Sequence, residues 1–174
     1  MKPLACVLAL TACGIGTTDL DEFQISHPYA TTAALDRGVL VQAIAELEHQ
    51  IGGGGEIQIT GMFAHDQSVE IVAIDPKHPT HLDAYRYSDG HLDKPSPKGS
   101  IDRVAGTFAI GDVPTELFPY AVQALEQAKP RVEGGHIENI SISASSISFD
   151  ISGARDTANV ALELPAKRPT ATAR

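Results

Sequence analysis

The side chains able to do chemistry sit in a few short runs of this sequence. His78-Pro79-Thr80-His81-Leu82-Asp83 and His91-Leu92-Asp93 offer imidazoles and carboxylates, the ligand types of zinc and similar ions. A metal centre needs these groups to converge. A proline-broken loop does not line two histidines along one helical face as an HExxH helix does, so solvated loop histidines, no metal and no cofactor are expected. Gly52-Gly53-Gly54-Gly55 is glycine-rich like a phosphate loop, but a phosphate loop runs strand, glycines, Lys-Ser/Thr, helix. Here the pattern runs helix, glycines, Glu56, strand, which suits helix termination through left-handed backbone. Ser141, Ser143, Ser145, Ser146 and Ser148 interleave with Ile140, Ile142 and Ile147, the pattern of the solvent side of two strands, and no GxSxG elbow presents a nucleophile. The carboxylates are scattered, so no acid and base pair is assigned. The expectation is a non-enzymatic protein with no catalytic residue. Tyr85 and Tyr87 flank Arg86, and strand alternation puts the two tyrosines on one face and Arg86 on the other. Two readings stand for this trio: a contact surface, since Tyr and Arg are favoured at interfaces, or a tyrosine pair covering the sheet's own core.

Only two cysteines occur, Cys6 and Cys13, so everything after residue 13 lacks a thiol and cannot form an internal disulfide. The chain opens Met1-Lys2-Pro3, runs apolar from Leu4 to Leu10, and continues Thr11-Ala12-Cys13-Gly14. As a helix that run spans only about 10 Å against a hydrocarbon core of roughly 30 Å, too short for a membrane span but sufficient for the h-region of a signal peptide. Leu10-Thr11-Ala12-Cys13 resembles the lipobox of bacterial lipoproteins, although such signals are usually longer. The resemblance implies a signal peptide over residues 1–12, cleavage before Cys13 and lipidation of its thiol, followed in many cases by acylation of the new amine. Each buried methylene contributes about 0.8 kcal/mol, and two chains anchor where one binds only reversibly. The implied partner of Cys13 is therefore a lipid bilayer. Gly14 follows the cysteine where many inner-membrane lipoproteins carry Asp, which by the same resemblance points to the outer membrane, facing the periplasm.

Charge narrows the partners further. The 174-residue chain has a formal net charge of -9, and loss of residues 1–12 removes Lys2 and no acid, leaving 12 basic against 22 acidic residues. Phosphate neutralisation needs clustered Lys and Arg, so no nucleic acid is expected. An anionic membrane surface is repelled too, so attachment has to come from lipid.

The elements that position these residues follow from periodicity. Residues 13–30 read as the lipidated cysteine and a tether. Thr32 caps a helix with Leu35, Leu40, Ile44, Leu47 and Ile51 on one stripe, ended by the glycines. Ile57, Ile59, Gly61 and Phe63 alternate strictly, and with Val69–Ile74 they predict a hairpin; Leu82–Tyr87 is a third strand. Asp112-Val113-Pro114 opens a second helix with the stripe Leu117, Tyr120, Ala121, Ala124, Leu125 and Ala128. Ile137–Ile142, Ile147–Ile151 and Val160–Leu164 supply three more strands, and residues 165–174 read as a disordered tail. The expected fold is α+β: two repeated helix-β-β-β units over residues 31–99 and 100–164, each an antiparallel sheet with a helix packed on one face. This order resembles tandem PepSY-like modules of exported bacterial proteins. The string Ile74-Asp75-Pro76, Asp83-Ala84-Tyr85-Arg86-Tyr87, Asp89-Gly90 is similar to a family of uncharacterised bacterial proteins with DP, DxYxY and DG blocks. Neither resemblance carries a catalytic residue across.

Three functional readings follow. The first is a membrane-anchored envelope lipoprotein that binds a protein or an envelope component. The second is an inhibitor or immunity lipoprotein against a toxin or hydrolase acting on the cell wall, and the third is an enzyme whose groups converge only in space.

Overall fold

A computed structural model of the chain describes residues 37–65, 68–103 and 106–165. The expected signal segment, Cys13, the expected tether, the expected helix start at Thr32 and Leu35, and the expected tail after Pro165 lie outside the described residues. Asp66 and Gln67, in the first hairpin turn, lie outside them as well.

The described chain begins with α1 (Arg37–Ile51), then β1 (Gln58–His65), β2 (Ser68–Ile74), β3 (His81–Ser88), β4 (His91–Leu92), β5 (Ser96–Ser100) and β6 (Phe108–Ala109). It continues through α2 (Phe118–Ala128) to β7 (His136–Ile142), β8 (Ser146–Ser152) and β9 (Thr157–Glu163). The glycine run ends α1 by backbone geometry: Gly52, Gly53 and Gly54 have φ of 80°, 93° and 56°, and Gly52 N–H donates to Glu48 O at 2.8 Å. Side chains with a Cβ resist that left-handed region. Gly55 serves a different need, because it packs against Gly111 of the 3-10 turn Ile110–Asp112, where a Cβ on Gly111 would stand 3.1 Å from Gly55 O. Ile110 N–H donates to Ile57 O across the same junction at 2.8 Å. The second helix starts later than the Asp112-Val113-Pro114 signal suggests. Those residues complete the 3-10 turn and its exit, and α2 begins at Phe118 with Pro119 in the first turn, where no amide partner is lost.

The expectation of two helix-β-β-β units, each with its own sheet, is overturned. All nine strands form one sheet, ordered β4-β3-β2-β1-β7-β8-β9, with β5 added beside β3 and β6 beside β1, and every pairing is antiparallel. The joint is between β1 and β7, where Met62 faces Ile142, Phe63 faces Ser141, Ala64 faces Ile140 and His65 faces Asn139. Its physical reason is edge satisfaction. Two separate three-stranded sheets would each leave two rows of unpaired backbone groups, and joining β1 to β7 removes one row from each.

The helices cover one face. Leu40, Ala43 and Leu47 of α1 and Ala121, Ala124, Leu125 and Ala128 of α2 enter a single apolar cluster with Ile59, Met62, Val69, Ile71, Tyr85, Ile140, Ile147, Phe149 and Val160. Tyr87 from β3 joins it and donates its hydroxyl to Gln42 Oε1 of α1 at 2.8 Å. Arg37 pairs with Glu116 at 3.1 Å between the two helical segments, but both side chains are well exposed, so that pair adds little. The layers depend on apolar burial. The other face carries a second, small cluster of Val72, Leu82 and Ala84 with Ile74.

One continuous core predicts one cooperative transition. Leu47→Ala under α1 and Leu125→Ala under α2 each remove a buried side chain and each should cost about 2–5 kcal/mol. Both variants should lower the same single melting transition in calorimetry, and a variant that shifts one of two separate transitions would contradict the shared core.

Candidate functional site

The face away from the helices is the surface with the most to offer, and a β-bulge sets its centre. Strict alternation from Ile57 would bury Phe63 with Ile59. The β1–β2 register shifts between Ile59 and Gly61, however, and the shift reverses the phase of everything after it. Met62 and Ala64 therefore enter the core, while Phe63 faces outward with 48% of its surface exposed. The ring lies across Gly61, where an added Cβ would stand 3.4 Å from Cε2 and Cζ of Phe63 and 3.4 Å from Ile142 O.

The registers place a transverse row on this face: Arg86 on β3, Glu70 on β2, Phe63 on β1, Ser141 on β7, Ser148 on β8 and Ala161 on β9. A second row runs Ser88, Ser68, His65, Asn139, Asp150, Asn159. Its members are cross-linked: Asn159 Nδ2 donates to Asp150 Oδ1 at 2.7 Å, Asn139 Nδ2 donates to Asp150 Oδ2 at 3.4 Å, and Arg86 Nη2 donates to Ser68 Oγ at 3.3 Å. Lys98 reaches from β5 to Glu70 at 2.9 Å. The result is a broad face with one aromatic ring amid short polar side chains and paired charges. That composition matches a contact patch with an aromatic anchor and a polar surround.

Of the trio singled out in the sequence, only Arg86 reaches this face. Tyr85 and Tyr87 are each 3% exposed and lie in the core, so the contact surface expected across Tyr85, Arg86 and Tyr87 is corrected to Arg86 and its neighbours on β2. Burial raises the Tyr85 phenol above its usual range, with the Asp83 and Asp75 carboxylates adding to the effect. The isoleucine stretch offered no reason to single out Phe63. Its signal was Gly61 within a strand, a mark of bulges and close backbone approach.

The histidine-rich stretch is divided among turns. His78 Nδ1 lies 2.6 Å from Asp75 Oδ2, and its ring stacks on that of His81 with centroids 5.6 Å apart at 28°. His91 Nε2 lies 3.5 Å from Asp93 Oδ1 at a different turn. Among the described residues no three His, Cys, Asp or Glu side chains gather as a metal cage requires. Asp75 instead organises the β2–β3 turn, since Oδ1 also accepts from Lys77 N–H at 2.8 Å. Its hydrogen bond with His78, and then that from the Lys77 amide, hold the carboxyl below its ordinary range. A groove of about 390 Å³ opens elsewhere, between Phe108, Pro114, Tyr120, the Ser143–Ser145 turn and Leu164. Ser143 Oγ there is occupied as an acceptor from Ser146 N–H at 3.2 Å and Ser145 N–H at 3.4 Å.

Two measurements check this geometry. Met62→Ala should cost about 2–5 kcal/mol in denaturant unfolding, and Phe63→Ala less than about 1.5 kcal/mol, because only the former opens a core cavity; equal costs would place the bulge wrongly. The folded Asp75 carboxyl should titrate below the unfolded value, so its stabilising contribution is complete above the ordinary carboxylate range and fades as pH falls through the depressed folded value. Carbon-detected NMR should show the Asp75 midpoint rising toward normal in His78→Ala. An unchanged midpoint would assign the shift to another cause.

No protein-family model matches the chain, and no curated protein matches it either.

Proposed function

We propose that this protein is a lipid-anchored component of a bacterial envelope whose body acts by binding, turning the sheet face centred on Phe63 toward a protein or another envelope component. The observation that carries the binding half is Phe63 itself. A phenylalanine held half in solvent at the middle of a continuous sheet loses little conformational freedom on binding, and the surrounding Glu70, Arg86, Ser141 and Asn139 supply the polar rim.

The anchoring half rests on Leu10-Thr11-Ala12-Cys13. No helix among the described residues is long and apolar enough to cross a membrane, and a lipid anchor requires none. The acidic body is repelled by anionic headgroups, so acyl chains on Cys13 are the force that keeps it at a bilayer. By the same resemblance the outer membrane, on its periplasmic side, is the proposed location.

Labelled palmitate should enter the wild-type chain and not Cys13→Ser, and equal labelling of the two would end the anchoring half. For the binding half, Phe63→Asp should keep the wild-type melting temperature within a few degrees while the lipidated protein loses its envelope partner in cross-linking from the intact cell. Identical cross-linked products from wild type and Phe63→Asp would place the contact elsewhere.

A further inference from the structure

The two edges of the sheet are guarded very differently. One edge is made of β4, two residues long, and β5, which carries Pro97, Lys98 and Gly99, slips register against β3 between Leu82 and Asp83, and ties Lys98 down to Glu70. These are the devices by which proteins keep an open edge from recruiting another strand. The other edge is β9, Thr-Ala-Asn-Val-Ala-Leu-Glu, with no proline, no lysine and no slip along its pairing with β8. Its Thr157, Asn159, Ala161 and Glu163 side chains are exposed.

The hydrogen-bond phase of β9 shows which backbone groups are free. Leu164 N–H donates to Ser145 O at 2.8 Å, and Gly153 N–H donates to Asp156 O at 2.8 Å, one at each end of the β8–β9 ladder. Hydrogen-bonded pairs alternate along an antiparallel ladder, so Ala158, Val160 and Leu162 turn their N–H and C=O toward β8. Thr157, Asn159, Ala161 and Glu163 turn theirs outward. Among the described residues nothing bonds to that outer row.

We propose that β9 is a homodimer edge, pairing antiparallel with β9 of a second copy about a two-fold axis at Val160. That register sets Thr157 opposite Glu163 of the second copy and Asn159 opposite Ala161, so every outward N–H and C=O meets a partner. A slip of two residues either way leaves an outward pair at the ends unsatisfied. This register also keeps like charges apart: the two Glu163 carboxylates fall at opposite ends of the joint, each opposite the neutral Thr157 of the other copy. The remaining β9 side chains are uncharged, so the net negative charge of the chain is not concentrated at the joint.

The test uses the full chain with Cys6 and Cys13 changed to serine, in mild detergent, so that an introduced cysteine is the only thiol. Mild oxidation should link Val160→Cys to itself, because non-hydrogen-bonded pairs bring α-carbons to about 4.5 Å, inside disulfide range. Ala158→Cys and Leu162→Cys face each other's positions rather than their own and should stay uncrosslinked. Light scattering should show a dimer for the parent and a monomer for Ala161→Pro, which removes an outward N–H and leaves the β8 ladder intact. Should Ala161→Pro unfold, the cysteine series still decides. A parent that stays monomeric at all concentrations, or Val160→Cys linking no faster than Ala158→Cys, overturns the proposal and leaves the edge to another segment of the chain or to a different partner.

Discussion

The pairing of β1 with β7 is the constraint on which the rest of this molecule depends. Four residues on each strand, Met62–His65 and Asn139–Ile142, join two sets of antiparallel strands into one sheet. Once they are joined, Met62 and Ala64 share a core with Ile140 and Ile142, and α1 and α2 bury their apolar stripes in the same layer. A lone helix with three strands, about sixty residues, would bury too little apolar surface to be more than marginally stable. The joint therefore creates both the continuity of the backbone ladder and the size of the core.

The same joint makes the opposite face broad enough to matter. Beside it, the register shift at Ile59/Gly61 turns Phe63 out of the core, and β7 sets Ser141 opposite Phe63 in the ladder. Without the shift, Phe63 would have continued the buried row of Ile59. A single extra residue in one strand thus decides whether the centre of the sheet is an aromatic contact or another core position, because side chains alternate with a period of two. Around it, the acidic groups have partners: Lys98 pairs with Glu70, and two asparagine amides donate to Asp150.

A sheet of this kind has ends as well as faces. The β4–β5 end is broken, proline-bearing and lysine-capped, while β9 is continuous and presents an ordered row of backbone donors and acceptors. Face and edge are separate resources. A partner laid on Phe63 meets side chains, whereas a strand added at β9 meets main chain and inherits its register from the hydrogen-bond phase.

Much of the local structure was legible in the residues alone. The stripe Leu40, Ile44, Leu47 marked α1, the glycines marked its end, and β-branched alternation marked β2, β7 and β8, because each of these signals lies within one turn or one strand. The string Leu10-Thr11-Ala12-Cys13, on which the proposed anchor rests, is likewise local, and the acidic charge is a property of composition. What alternation left undecided, whether Tyr85 and Tyr87 meet a partner or the core, was settled by α1 lying over them with Gln42 at the Tyr87 hydroxyl. The short strands β4, β5 and β6 carry no periodic signal, being too brief or too rich in proline and glycine, and exist only because β1 and β3 have backbone groups to satisfy. The bulge at Gly61 and the β1–β7 joint were decided by tertiary structure as well. Sheet pairing is made by main-chain groups that every residue carries, so which strands become neighbours leaves almost no trace in side-chain identity, and only the closing of a common core selects among the alternatives.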